Sequence, residues 1–137
     1  AFAAVDFDAV TGFASAAQTA GARQFLMVSS VGASAASSNF YLQTKGRTED
    51  TVQGMGFDRV DIFRPGLLRG DRGGPVRIGE RIGMAVSPLT DLLTPRAFDK
   101  YRSIAASDVA SAIAQRSGAA EKGVFVHHHR EMLAPSA

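Results

Sequence analysis

The sequence predicts an α/β protein with a parallel sheet covered by helices. Two observations carry this prediction. Helical and strand-like segments alternate along the chain and are separated by glycine, as parallel α/β winding requires. The strand-like segments are short apolar runs without polar alternation, which is typical of strands buried on both faces. With 137 residues and a hydrophobic fraction of 45%, the chain is large enough for one domain with a real core.

The first predicted elements are a helix and a strand. Apolar residues recur at steps of three and four over residues 6–20, which predicts a helix that ends at Gly21. A strand follows from Gln24, where four consecutive apolar residues precede Ser29 and Ser30.

A second helix and strand come next. The helix is predicted over residues 40–55, with an N-cap supplied by Ser37, Ser38 or Asn39. The strand is predicted over residues 59–64 and ends at Pro65. The remaining elements are expected to be a glycine-rich loop over 67–75, a helical segment over 78–93, a helix capped by Ser107 and Asp108 that ends near Gly118, and a strand over 123–126.

Composition and charge argue against several classes of function. No apolar run approaches the roughly eighteen residues that span a membrane. The net charge of +2 does not indicate a nucleic-acid-binding surface, and the arginines over residues 64–81 are interrupted by acidic residues. The histidines at 127–129 are not expected to bind a metal, because neighbours on a strand point to opposite faces. The absence of cysteine suits a reducing compartment, and we expect a cytoplasmic location.

Tyr41 and Lys45 lie four residues apart on the second predicted helix, which places the phenol and the ammonium on one face. A free tyrosine has a pKa of about 10 and is a poor proton donor or acceptor at neutral pH. An ammonium within about 4–6 Å favours the phenolate and lowers the tyrosine pKa by about 1–3. Such a tyrosine can exchange a proton with an alcohol or carbonyl. Ser29 or Ser30 could orient the same oxygen, because open α/β sheets bind ligands at the carboxyl ends of their strands.

Together these residues resemble the catalytic set of the short-chain dehydrogenase/reductase superfamily. The chain is similar to the atypical branch that includes the Tat-interacting oxidoreductase-like proteins, which are NAD(P)-binding or epimerase-like. The resemblance covers roughly residues 5–126, and its most specific parts are the Tyr-x-x-x-Lys-Gly and Phe-Arg-Pro-Gly pieces. The matching segments are 25–33, 39–46, 57–59 and 62–68.

The resemblance implies a fold and a set of catalytic roles. The fold would be the carboxyl-terminal portion of a Rossmann-like doubly wound parallel sheet, with 1–137 as a single, partial domain. Tyr41 would be the acid/base, and Lys45 would bind the nicotinamide ribose and depress the tyrosine pKa. Ser30 would polarise the substrate oxygen, with Ser29 as the alternative.

The same resemblance implies a cofactor site and a substrate side. Residues 78–101 would form the substrate-side cover. The cofactor would be NADP or NAD, and the residues that the resemblance assigns to its binding are Tyr41, Lys45, Pro65, Gly66, Leu68 and Arg77.

The function implied is that of an oxidoreductase or epimerase-like protein that exchanges hydride at a carbonyl or alcohol carbon of a small molecule. The alternatives are a non-catalytic dinucleotide-sensing protein of the same fold and a fragment that binds no cofactor. These alternatives stay open, because a shared fold does not choose between them.

One expected feature of the superfamily is missing from the sequence. No strand is followed by the glycine-rich turn and helix that hold a pyrophosphate. We therefore expect the first strand to have an unpaired, apolar edge, which is an association hazard. This predicts either self-association along that edge or pairing with an N-terminal region of a longer polypeptide.

Overall fold

Three parallel strands form the centre of the structure, a computed structural model that describes residues 4–69 and 103–134. They are β1 (Gln24–Val28), β2 (Arg59–Phe63) and β5 (Gly123–His127), and β2 lies between the other two. A separate parallel pair joins β3 (Leu68–Arg69) to β4 (Ile104–Ala105). The parallel sheet confirms the strand arrangement expected from the apolar runs.

Helices cover both faces of this sheet. The described helices are a π-helical segment η1 (Ala4–Ala9), α1 (Val10–Thr19), α2 (Phe40–Gln53), α3 (Ala106–Arg116) and α4 (His129–Leu133). Side chains of α1 and α2 share one apolar core with the sheet, and side chains of α3 and α4 share a second core with it. This two-sided cover confirms the α/β fold class and fits a portion of a Rossmann-like doubly wound sheet.

The two cores follow from the alternation of side chains along the strands. The first contains Ala14, Phe25, Met27, Val52, Val60 and Ile62. The second contains Phe63, Ile104, Val109, Ala112 and Met132. Every residue of β2 is buried, as expected for a central strand covered on both faces.

Local capping residues set the start of α2, and the first helix differs from the prediction. Asn39 is the N-cap of α2, and its Oδ1 accepts a hydrogen bond from the Leu42 amide at 3.1 Å. The helix predicted from residue 6 begins as the π-helical η1 and becomes α-helical at Val10. The π-helical turn is wider than an α-helical one, but apolar residues still recur at steps of three and four. The sequence pattern therefore does not distinguish the π-helical segment from an α-helix.

The predicted cap of α3 is wrong. Ala105 is the N-cap and makes no side-chain hydrogen bond, because the helix begins at Ala106, one residue before Ser107. Asp108 therefore lies within the first turn, where its negative charge interacts favourably with the positive end of the helix dipole. The helix predicted over 78–93, the substrate-side cover at 78–101 and Arg77 lie outside the described residues. None of the described helices is long and apolar enough to cross a membrane.

Candidate functional site

The carboxyl edge of the sheet carries most of the residues that the sequence singled out. Past the end of β1, the Ser29 amide donates to the Phe63 carbonyl at 2.7 Å, and the Val31 amide donates to the Pro65 carbonyl at 3.0 Å. The segments that leave β1 and β2 therefore stay side by side at this edge. Pro65 is buried, its neighbour Gly66 is half-buried, and Leu68 is exposed.

The first turns of α2 lie at the same edge, because the chain leaves β1 there and returns as α2. The loop after β1 contacts this helix directly, since the Ser34 amide donates to the Leu42 carbonyl at 3.1 Å. Tyr41 is 40% exposed, and the Lys45 Nζ lies 5.7 Å from the centroid of its ring. The structure thus places phenol and ammonium side by side, as the four-residue spacing indicates.

A carboxylate that lies outside the sequence motifs contacts Lys45. The Asp6 Oδ1 is 3.2 Å from the Lys45 Nζ, and both side chains are largely buried. The backbone of Asp6 is held by the same helix, because the Thr48 hydroxyl donates to the Asp6 carbonyl at 2.8 Å. Lys45 therefore lies between a carboxylate on η1 and the ring of Tyr41.

The two serines after β1 differ in their surroundings. Ser29 is only 4% exposed, and among the described residues its hydroxyl has no hydrogen-bond partner. Ser30 is half-buried, and its hydroxyl contacts the carbonyl of Val31 at 3.3 Å. The structure places both serines at the predicted edge, with Ser30 the more accessible of the two.

A partly buried ion pair fixes the segment that contains Pro65 to α2. The Arg64 guanidinium meets the Glu49 carboxylate through two contacts, Nε to Oε2 at 3.0 Å and Nη2 to Oε1 at 2.5 Å. Glu49 is 2% exposed, so the pair is desolvated on its carboxylate side. Bidentate geometry of this kind sets orientation as well as distance, and it fixes Pro65 relative to Lys45.

Gly46, directly after Lys45, allows the loop behind β1 to approach α2. A Cβ at this position would lie 2.3 Å from the backbone N of Ala35 and 2.5 Å from the Cα of Ser34. Any larger residue would push the loop and the helix apart. The glycine of the Tyr-x-x-x-Lys-Gly segment therefore has a packing role.

A second polar cluster, unpredicted, lies on the opposite face of the sheet. Asp61 is fully buried and accepts hydrogen bonds from Arg59 through both Nε and Nη2, from Gln24 at 2.8 Å and from His127 at 2.8 Å. Burial raises the pKa of Asp61, but the hydrogen bonds from Arg59, His127 and Gln24 outweigh it, so this pKa lies below its ordinary value. The hydrogen bond to Asp61 in turn raises the pKa of Arg59.

The sequence contains a signal for this cluster. Arg59 and Asp61 are two residues apart on an otherwise apolar strand, so they must share a face and can pair. A cavity of about 600 Å³ lies beside the cluster, lined by Arg59, Phe125, His127 and residues 115–121. It is on the α3 side of the sheet, whereas Tyr41 and Lys45 are carried by α2 on the other side.

The fold and this edge define a class: an α/β protein with part of a Rossmann-like parallel sheet and a Tyr–Lys pair at the carboxyl edge of that sheet. No protein-family model matches the chain. It is related to the FMP52 and HTATIP2 proteins. It is 44% identical to Protein FMP52, mitochondrial, of Meyerozyma guilliermondii and 45% identical to Protein HTATIP2 of Rattus norvegicus, each over 71 residues. It is 36% identical to the FMP52 protein of Candida albicans over 89 residues.

The coverage of these matches is partial. They include 52%, 52% and 65% of this chain, and 31%, 29% and 39% of the respective relatives. The chain thus spans about a third of the length of the curated relatives it matches.

The comparisons correct the expected location. The FMP52 relatives are named mitochondrial proteins, which contradicts the cytoplasmic location expected from the sequence, and that expectation is wrong. The expectation rests on the absence of cysteine. Cysteine content bears on redox chemistry and does not by itself specify a compartment.

Proposed function

We propose that this chain carries the proton-transfer part of an NAD(P)-dependent oxidoreductase or epimerase-like protein. The observation that carries the proposal is the placement of the Lys45 ammonium 5.7 Å from the centre of the Tyr41 ring, at the carboxyl edge of a parallel sheet. Support also comes from the similarity to FMP52 and HTATIP2 proteins and from the family resemblance of the motifs. The substrate class is a small molecule with an alcohol or carbonyl group.

The residues at this edge fit the nicotinamide-ribose end of a dinucleotide. Lys45 offers donors suited to ribose hydroxyls, and the exposed side chain of Leu68 offers a small apolar surface suited to a flat ring, close in sequence to the half-buried Gly66 and the buried Pro65. The unpartnered Ser29 hydroxyl is a polar group at the same edge that a ligand could satisfy. The described residues contain no glycine-rich strand-to-helix turn for the pyrophosphate, so the fit concerns one end of the cofactor.

Each of the three catalytic residues has a separate part in the proposed reaction. The Tyr41 hydroxyl donates a proton to the substrate oxygen during reduction and recovers one in the reverse direction. The positive charge of Lys45 stabilises the phenolate that Tyr41 becomes. Ser30, which is more accessible than Ser29, donates a hydrogen bond to the same oxygen. A bound NAD(P) would supply or accept the hydride.

Replacement of Tyr41 by Phe tests this function. Turnover of carbonyl substrates by a protein that contains this chain is followed by nicotinamide absorbance, and dinucleotide binding is followed by nicotinamide fluorescence. We expect Tyr41→Phe to lower kcat by about 100-fold or more while dinucleotide still binds, because only the proton carrier is removed. Unchanged turnover in Tyr41→Phe would contradict the proposal.

The same assay distinguishes the two serines. We expect Ser30→Ala to lower kcat by about 100-fold, the usual effect of removing one hydrogen bond to a developing oxyanion. Ser29→Ala should leave kcat nearly unchanged, since within residues 4–69 and 103–134 its buried hydroxyl has no hydrogen-bond partner to lose. The opposite result would assign the role to Ser29.

A dinucleotide-binding protein without turnover is the second candidate. The observation that favours it is the Lys45–Asp6 ion pair, because the carboxylate offsets the positive charge that would stabilise a Tyr41 phenolate. This candidate predicts dinucleotide binding with no turnover in either the parent protein or Tyr41→Phe.

A further inference from the structure

We propose that Asp6 is a positioning residue for the Tyr41–Lys45 pair: its carboxylate holds the Lys45 ammonium beside the Tyr41 ring. The role of the pair in proton transfer rests on the proposed function, but the positioning is a physical property of the chain. Asp6 lies 39 residues before Lys45 in the sequence, in a different helix, and belongs to no motif singled out there.

The first step of the argument is that the Asp6 backbone is fixed against α2. The Thr48 Oγ1 lies 2.8 Å from the Asp6 carbonyl oxygen and 2.9 Å from the Thr44 carbonyl oxygen, and its single proton is shared between these two acceptors. The guanidinium of Arg47 lies 4.7 Å from the ring centroid of Phe7, the residue next to Asp6. Two contacts from α2, one at the Asp6 carbonyl and one at the ring of the next residue, therefore hold this part of η1 against the helix.

The second step is that the ion pair is sheltered from water. The side chains of Lys45 and Asp6 are 13% and 16% exposed, and the Nζ–Oδ1 distance is 3.2 Å. An exposed ion pair contributes little order, because water screens it and both side chains move. This pair is screened much less, and one of its partners has a fixed backbone, so the carboxylate restricts the rotamers of a long side chain.

The third step is that the same ammonium faces Tyr41. The Lys45 Nζ lies 5.7 Å from the Tyr41 ring centroid while it contacts Asp6. A lysine has a flexible four-carbon stem and can otherwise extend into solvent. The Asp6 carboxylate therefore selects the rotamer that places the positive charge beside the phenol.

The carboxylate has a second, opposing effect on Tyr41. Its negative charge partly offsets the positive charge of Lys45 and so disfavours the phenolate. If Asp6 acts only through charge, its removal lowers the ionisation midpoint of Tyr41. If it positions Lys45, its removal raises that midpoint, because the ammonium leaves. The direction of the change therefore tests the proposal.

The experiment is a spectrophotometric titration of tyrosinate in the 137-residue chain without cofactor or substrate. The sequence contains two tyrosines, so a Tyr101→Phe background leaves Tyr41 as the reporter. We expect Asp6→Ala to raise the midpoint by about half a pH unit or more, in the same direction as Lys45→Met. We expect Asp6→Asn to stay at or below the parent value, because the amide oxygen still accepts from Lys45 and the negative charge is gone.

The matched control is Asp8→Asn, which removes an exposed carboxylate from the same helical turn and should leave the midpoint unchanged. If Asp6→Ala does not fold, Asp6→Ser replaces it with the same expected rise. A midpoint that falls or does not change in Asp6→Ala, or in Asp6→Ser where that replaces it, would overturn the proposal. Equal shifts of the midpoint in Asp6→Ala and Asp6→Asn would also overturn it. Because no turnover is measured, failure of the proposed function leaves this result intact, and the converse also holds.

Discussion

At the scale of single residues, Gly46 is the position where one atom decides the packing. A Cβ there would lie 2.3 Å from the Ala35 N, so Gly46→Ala forces loop and helix apart. We expect a loss of about 2–3 kcal/mol or more in the free energy of unfolding, measured by urea denaturation. Gly54→Ala is the control at the end of the same helix: its nearest neighbour would be 3.6 Å away, and we expect a change within about 0.5 kcal/mol. Equal losses in both variants would contradict this account.

At the scale of elements, β2 carries a pH-dependent contribution to stability through Asp61. A carboxyl whose pKa is lower in the folded state stabilises the fold above its unfolded pKa of about 3.9, and the contribution disappears as pH falls through the lower folded value. Asp61→Asn should therefore flatten the acid limb of a plot of unfolding free energy against pH. At neutral pH it should cost about 3 kcal/mol or more, because Arg59 and His127 lose a buried partner.

The control for this titration is Asp58→Asn, which removes an exposed carboxylate one residue before the same strand. It should leave the acid limb unchanged. An acid limb in Asp61→Asn as steep as that of the parent chain would contradict the prediction.

The elements also show how far the sequence determines the site. The strands, α2 and the Tyr41–Lys45 spacing could be predicted because periodicity, capping by Asn39 and breakage by glycine are local properties. The Asp6–Lys45 contact could not, because it depends on how η1 docks on a helix 39 residues away. The sequence pattern misplaces the start of α3 for a different reason. Its N-cap, Ala105, is extended and has no side chain that can form a capping hydrogen bond, so the sequence gives no sign that the helix begins there.

At the scale of the whole molecule, β1 has an unpaired edge among the described residues. The Ser29 amide donates to the Phe63 carbonyl of β2, and the Arg23 carbonyl accepts from the Arg59 amide. The backbone N–H and C=O groups of the odd-numbered residues of β1 therefore point toward β2. The amides of Leu26 and Val28 therefore face the open edge. We expect the 137-residue chain to self-associate by strand addition there, as read by light scattering over a concentration series.

The variant that tests this edge is Val28→Pro, which removes an outward-facing amide and leaves the bonds to β2 in place. It should reduce association, whereas Val28→Thr, which keeps the amide, should behave as the parent. A parent chain that stays monomeric at every concentration, or a proline variant that associates equally, would contradict the prediction.

The Asp6–Lys45 contact also has a consequence for how the site assembles during folding. Tyr41 and Lys45 share one helix face as soon as α2 forms, since a spacing of four residues is about one helical turn. The contact to Asp6 closes a loop of 39 residues that contains α1, β1 and the following loop, so its entropic cost must be met by tertiary packing. We therefore expect helix formation to place the two residues on one face, and the later docking of the N-terminal helical segment to bring the ammonium of Lys45 beside the Tyr41 ring.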